Sequence, residues 1–295
     1  APNGPATDVI AAVVHSSLAL GLVLDCATVR AMKTQPSSLS FVRKALLLPG
    51  LLLALVPGCS NQSDLDQTRL IPTQAQLDKA KPLLAARPFD DKVPDSYDDS
   101  RSWPLLVMLH GHGANSTIQD AYFGISKQVS TLGFLYAYPD GTQNPLGLRF
   151  WNAMEWCCNF FGSPVDDVAY VSAVIDDMAK KYNVDKKRIF VVGHSNGGFM
   201  AHRVGCELSD KVAGIVSLAG MQFNDPTRCN PKQPIAVLQV HGTLDVVISY
   251  IGSLNYPSAK SSLAIWANRN RCTGRLTYGG ENRDLELVIP GAETT

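Results

Sequence analysis

Between residues 104 and 270 the chain alternates short, unbroken apolar runs with longer stretches of helical period. PLLVMLH (104–110), GFLYAYPDG (133–141), RIFVV (188–192), AGIVSLAG (213–220) and IAVLQVHG (235–242) are dominated by apolar residues, and all five meet a glycine at or just past their end. A strand that is apolar at successive positions is covered on both faces, so these runs predict buried parallel strands. DDVAYVSAVIDDMAKKY (166–182) instead puts Val168, Val171, Val174, Ile175, Met178 and Tyr182 on one stripe and predicts a helix. Ser163, Pro164 and Asp166 just before it read as an N-cap, a first-turn proline and a capping-box acid. GGFMAHRVGCEL (197–208) and SAKSSLAIWANRN (258–270) predict two more helices. Residues 60–80 are polar and predict a tether with a short helix, and the alternation begins near Leu83. The expected architecture is α/β, a mostly parallel sheet with helices on both faces.

The first 58 residues follow a different pattern. The first methionine is Met32; Lys33, Arg43 and Lys44 precede an apolar core at 45–56. That is a signal-peptide pattern, too short for a membrane span. Val56-Pro57-Gly58-Cys59 resembles a bacterial lipoprotein cleavage box, with Cys59 as the lipid-bearing residue; the alternative is ordinary cleavage with Cys59 a plain thiol. The expected organisation is upstream non-domain sequence at 1–31, a signal peptide at 32–58, a tether at 59–82 and one catalytic-sized domain at 83–295. The expected location is outside the cell, with a lipid anchor to the bacterial outer membrane where Cys59 is modified.

Charge and cysteine content narrow the partners. The formal net charge is zero, and no basic stripe points to nucleic acid. No Cys/His cluster has zinc spacing, so neither metal nor cofactor is expected. Cys157, Cys158, Cys206, Cys229 and Cys272 lie in the domain, an odd number that suits disulfides in an oxidising compartment. Adjacent Cys157 and Cys158 are expected to reach two different partners.

Three segments carry chemistry, each at the end of a predicted strand. G-H-S-N-G at 193–197 has a strand before it and a helix after it, the context that a nucleophile elbow requires, so Ser195 is the candidate nucleophile. In LHGHGAN (109–115) the H-G-x-G turn would supply the His112 N–H to an oxyanion hole, and Asn196 would supply the other. In VLQVHGTLDVV (237–247) Asp245 would hold a catalytic imidazole in its tautomer. His110 is expected to orient the turn, His194 and His202 to be structural or at the surface, and Asp166 and Asp167 to cap their helix.

LHGHGANS, WNAMEWCC, VDDVAYVSAVIDDMAKKYNVD, GHSNGGFMAHRVGCELSD and VHGTLD together resemble the polyhydroxybutyrate depolymerase-type esterases and the related bacterial feruloyl and acetyl xylan esterases. The resemblance runs from about residue 83 to 295. It implies an α/β-hydrolase fold, secretion, and metal-free hydrolysis of small or polymeric carboxylic esters, with Ser195 as nucleophile and Asp245 as acid. Trp151, in RFWNA, is implied either to border the substrate cleft or to pack in the core. The histidines are 15, 110, 112, 194, 202 and 241, and none follows Asp245, where this fold places its base. The expectation is a domain whose last part, with the base, lies beyond Thr295. The same resemblance would pair Cys272 with a cysteine past that point and share Cys157 and Cys158 between Cys206 and Cys229. The rival readings are a prolyl oligopeptidase-type serine peptidase and a non-catalytic, lipid-anchored binding protein on a hydrolase scaffold.

Overall fold

The computed structural model describes residues 68–272, together with the backbone of a four-residue strand at 21–24. The signal-peptide and Cys59 expectations, and the partner of Cys272, lie outside the described residues.

Five of the seven strands of the main sheet run parallel: β3 (Trp103–Leu109), β4 (Leu135–Tyr138), β7 (Val184–His194), β8 (Gly214–Leu218) and β9 (Ala236–Val240). Their order across the sheet is β9-β8-β7-β3-β4. All five coincide with the apolar runs read from the sequence. Every residue of β3 is buried, and its side chains divide between two cores. Leu105, Val107 and Leu109 pack on one face, while Leu106 and Met108 pack on the other. This is the period-2 alternation of a strand covered on both sides. Each such side chain contributes about 1.5–3 kcal/mol of burial.

An antiparallel strand closes each edge of the sheet. β2 (Asp90–Lys92) pairs with β4; it is short and charged, a composition that blunts a sheet edge. β1 (Gly21–Leu24) pairs with β9, Gly21 opposite Val240 and Leu24 opposite Val237. These four residues fall in the segment expected to lie upstream of the domain, and they join its sheet instead. The physical reason is the open hydrogen-bonding edge of β9, which an apolar GLVL segment satisfies.

Two long helices lie over the larger core. α4 (Asp167–Lys181) buries the predicted stripe, and α5 (Asn196–Glu207) follows β7 directly. The N-cap of α4 is Asp166, whose Oδ1 accepts the Ala169 N–H at 2.9 Å, and not Ser163. Ser163 is held in a separate turn: its N–H donates to Asn159 Oδ1 at 2.7 Å and its carbonyl accepts from Asn159 Nδ2 at 2.7 Å. α1 (Gln74–Ala86), opened by a Thr73–Gln76 capping box, packs along α4. Arg87 at its end donates to the buried Asp167 at 2.6 Å, so Asp167 is an inter-helix ion-pair partner as well as a first-turn acid. The smaller core is covered by α2 (Ser116–Phe123), the short α3 (Val129–Leu132) and the 3₁₀ turn between them. α6 (Ala259–Arg269) returns to the larger core through Leu263 and Trp266. A hairpin of β5 (Thr142–Gln143) and β6 (Arg149–Phe150) stands apart from the main sheet. The whole is an α/β-hydrolase arrangement. The chain leaves β3 towards β4 but leaves β7 towards β8, so a crevice opens between the C-terminal ends of β3 and β7.

Candidate active site

Ser195 stands at the mouth of that crevice, between β7 and α5. Its backbone is left-handed, φ 52° and ψ −118°, an uncommon conformation for a residue with a side chain. Two glycines make the turn possible. A Cβ on Gly193 would lie 2.0 Å from the Gly197 carbonyl oxygen, and one on Gly197 would lie 2.2 Å from the Leu109 oxygen. The Ser195 N–H donates to Leu218 O at 2.8 Å, which pins the elbow to the end of β8.

The turn after β3 lies directly opposite. A Cβ on Gly111 would sit 3.5 Å from the Ser195 Cβ. His110 is fully buried and holds this turn, as expected: its Nδ1–H donates to Gly111 O at 2.7 Å, and its Nε2 accepts the Gly141 N–H at 2.8 Å. That pattern requires a neutral ring, and burial lowers its pKa accordingly. Gly113 N–H donates to Arg149 O at 2.8 Å, joining the turn to the hairpin. Among the described residues the N–H groups of His112 and Asn196 donate to no other protein group. Asn196 N–H opens α5, where the helix dipole favours negative charge. His112 thus follows Gly111 in the turn that meets Ser195, and Asn196 follows Ser195 in the elbow.

The third segment is the loop after β9. Asp245 Oδ1 accepts the N–H groups of Val247 and Ile248 at 2.8 and 2.9 Å, so this carboxylate caps its own turn. Its Oδ2 lies 3.5 Å from His241 Nε2. His241 itself is committed: Nε2–H donates to Ile248 O at 2.6 Å, and Nδ1 faces the Gln239 amide nitrogen at 3.4 Å. Burial lowers the His241 pKa, against the opposing pull of the Ile248 carbonyl and the Asp245 charge. His194 also feels the Asp245 charge, but burial dominates and lowers its pKa. His202 is fully buried and structural. None of the described histidines is hydrogen-bonded to Ser195 Oγ.

Of the two places implied for Trp151, the structure shows the core and not the cleft: it is 0% exposed, and its indole N–H donates to His110 O at 3.0 Å. Its main chain clasps the Asn196 side chain, with Trp151 N–H to Asn196 Oδ1 at 2.6 Å and Asn196 Nδ2 to Trp151 O at 3.0 Å. Trp151 thus fastens the turn after β3 to the start of α5 from the core side. An isolated Trp in a sequence carries no sign of which face it meets. The cysteines pair differently from expectation. Cys157 and Cys158 are bonded to each other, and Cys206 is bonded to Cys229. Cys206, in the last turn of α5, is brought beside Cys229 by the core, while the adjacent pair lies against Asn196, whose Nδ2 is 3.8 Å from Cys157 Sγ. Neither cysteine of the adjacent pair is shared with the other two.

Comparison with known proteins finds similarity to esterases. The profile of the phospholipase/carboxylesterase family matches residues 162–273, which include Ser195 and Asp245. Feruloyl esterase B of Piromyces equi is 30% identical over 208 residues, 66% of this chain and 38% of that protein. A bifunctional acetylxylan esterase/xylanase of Neocallimastix patriciarum is 28% identical over 147 residues, 50% of this chain and 20% of that protein. The chain thus spans less than half the length of either relative. The Bacillus cereus carboxylesterase structure superposes with a TM-score of 0.49 at 17% identity, covering 65% of this chain and 85% of that one.

Proposed function

We propose that the protein is a serine esterase, a reading supported by the match of residues 162–273 to the phospholipase/carboxylesterase family and by the similarity to feruloyl esterase B. The observation that carries the proposal is Ser195, held in a left-handed elbow against the Gly111 turn; the N–H groups of His112 and Asn196, bonded to no other protein group among the described residues, are the oxyanion donors of this reading. In this reading a base removes the Ser195 proton and Oγ attacks the ester carbonyl. The two N–H groups receive the developing oxyanion, the alcohol leaves, and water releases the acyl group from Ser195. Asp245 is the acid of the triad, and its Oδ2, which caps no backbone group, is the oxygen that would orient the base. The base is a histidine, and no histidine follows Asp245 in the 295 residues.

The substrate class is a carboxylic ester with an apolar part, of the feruloyl, acetyl or hydroxyalkanoate kind. Exposed apolar side chains near the three site segments support this. Phe160 is 64% exposed beside the His112 ring, and Leu244 and Val246 flank Asp245. We also place the protein in an exported, oxidising compartment, a reading supported by the Cys206–Cys229 bond and the signal-peptide pattern at 32–58.

The test is hydrolysis of p-nitrophenyl acetate by the full-length protein and its Ser195→Ala variant. Turnover in the full-length protein that disappears in S195A is the expected result; turnover indifferent to Ser195 rejects the reading.

A further inference from the structure

Two hydrogen bonds converge on a single buried amide oxygen beside the nucleophile. Gln119, on α2, is 2% exposed. Its Oε1 accepts the Gly111 N–H at 3.0 Å and faces His194 Nδ1 at 3.1 Å. An amide oxygen only accepts, so Nδ1 carries the proton of the His194 ring. Gly111 belongs to the turn after β3, and His194 is the last residue of β7, immediately before Ser195. One atom therefore joins the turn that presents the His112 N–H to the strand end that presents the nucleophile.

Space filling does not account for this side chain. Gln119 Nε2 is buried with no hydrogen-bond partner among the described residues, a desolvation cost that an apolar residue would not incur. What an apolar residue could not do is accept two buried N–H groups at once. Tyr122 and Phe123, also from α2, pack against the His194 ring with centroids 5.3 and 6.3 Å away, so α2 holds that ring by its faces as well as by its proton.

We propose that Gln119 is a positioning residue for ester hydrolysis: its amide oxygen sets the distance between the oxyanion-hole turn and the nucleophile elbow. The proposal rests on the serine-esterase reading. Such a residue acts on the transition state more than on substrate binding, because the oxyanion exists only there. A misplacement of about 1 Å can cost on the order of a hundredfold in rate.

The experiment measures kcat and KM for p-nitrophenyl acetate, with thermal unfolding, in the natural full-length protein and in S195A, Gln119→Met and Gln119→Glu. Met matches the shape without an acceptor oxygen, and Glu keeps an oxygen at Oε1. The expected result is a kcat about 10- to 100-fold lower in Q119M with KM within about twofold, and a kcat within about threefold of wild type in Q119E. Should Q119M melt early, Gln119→Asn, which withdraws the amide oxygen by one methylene, carries the same expectation as Q119M. A folded Q119M or Q119N with wild-type kcat, a loss confined to KM, or a Q119E as impaired as Q119M overturns the proposal while leaving the esterase reading intact. Wild type and S195A being equally inactive overturns both.

Discussion

Two glycines in G-x motifs at strand ends look equivalent in the sequence and are not. Gly197 follows the nucleophile turn, and a Cβ there would lie 2.2 Å from Leu109 O and 2.6 Å from His110 O. Both are backbone atoms at the end of a fully buried strand, so neither can yield without moving β3. Gly242, in V-H-G-T-L-D, has nothing within 4 Å of its Cβ position, and its φ is not in the left-handed region. Gly197→Ala should therefore cost about 3 kcal/mol or more, while Gly242→Ala should stay within about 0.5 kcal/mol of wild type. Guanidinium unfolding of the two variants separates them; a Gly197→Ala variant of wild-type stability would mean that the approach of α5 to β3 is looser than described. The motif made Ser195 and its glycines legible, because only close backbone approach demands glycine at those spacings. It did not make Trp151 or Gln119 legible. Trp151 bonds His110 O and the Asn196 side chain, and Gln119 joins Gly111 N–H to the His194 ring, a joining across 75 residues that no local pattern encodes.

At the scale of elements, a buried polar chain links α6, α5, β9 and the Asp245 loop. The Trp266 indole N–H donates to His202 Nδ1 at 2.9 Å. His202 Nε2–H then donates to Gln239 Oε1 at 2.9 Å, and Gln239 Nε2 donates to Gly220 O at 2.7 Å. The far side of Gln239 meets His241, which ends on Ile248 O. Every donor has an acceptor only while His202 is neutral; a proton on Nδ1 would point at the Trp266 N–H. Burial accordingly depresses the His202 pKa from 6.5 to about 4. The sign follows from linkage. Below pH 6.5 the unfolded state takes up a proton that the folded state refuses, so stability falls with pH from about 6.5 down to about 4 and then levels. The full loss is about 3 kcal/mol. Urea unfolding of wild type and His202→Gln between pH 7 and pH 4.5 tests this: the variant should lose about 2 kcal/mol less than wild type across that range, and parallel losses would refute the assignment. The five parallel strands and the two long helices that carry this chain could be read from hydrophobic period alone. The edge strands could not: β2 is charged and β1 depends on a partner far along the chain. Nor could the start of α4, where Ser163 and Pro164 carry cap chemistry but Asn159 keeps Ser163 in its own turn.

The whole molecule contains two described disulfides that should differ sharply in what they stabilise. Cys206–Cys229 closes a loop with a sequence separation of 23, tying the end of α5 to the segment before β9 across β8. A cross-link of that span removes chain entropy from the unfolded state worth about 3 kcal/mol. Cys157–Cys158 has a sequence separation of 1, so it closes almost no loop and should add little by the same mechanism. What it can affect is local, because Cys157 Sγ lies against the Asn196 side chain at 3.8 Å, and Asn196 in turn holds Trp151. Two double variants resolve the difference in full-length protein. Cys206→Ser with Cys229→Ser should lower the unfolding free energy by about 3 kcal/mol, with the kcat of the folded fraction close to wild type. Cys157→Ser with Cys158→Ser should cost less than about 1 kcal/mol globally while lowering kcat, since the proposed oxyanion hole includes the Asn196 N–H. Equal stability losses in the two double variants would mean that the adjacent pair braces the core as a whole rather than the elbow.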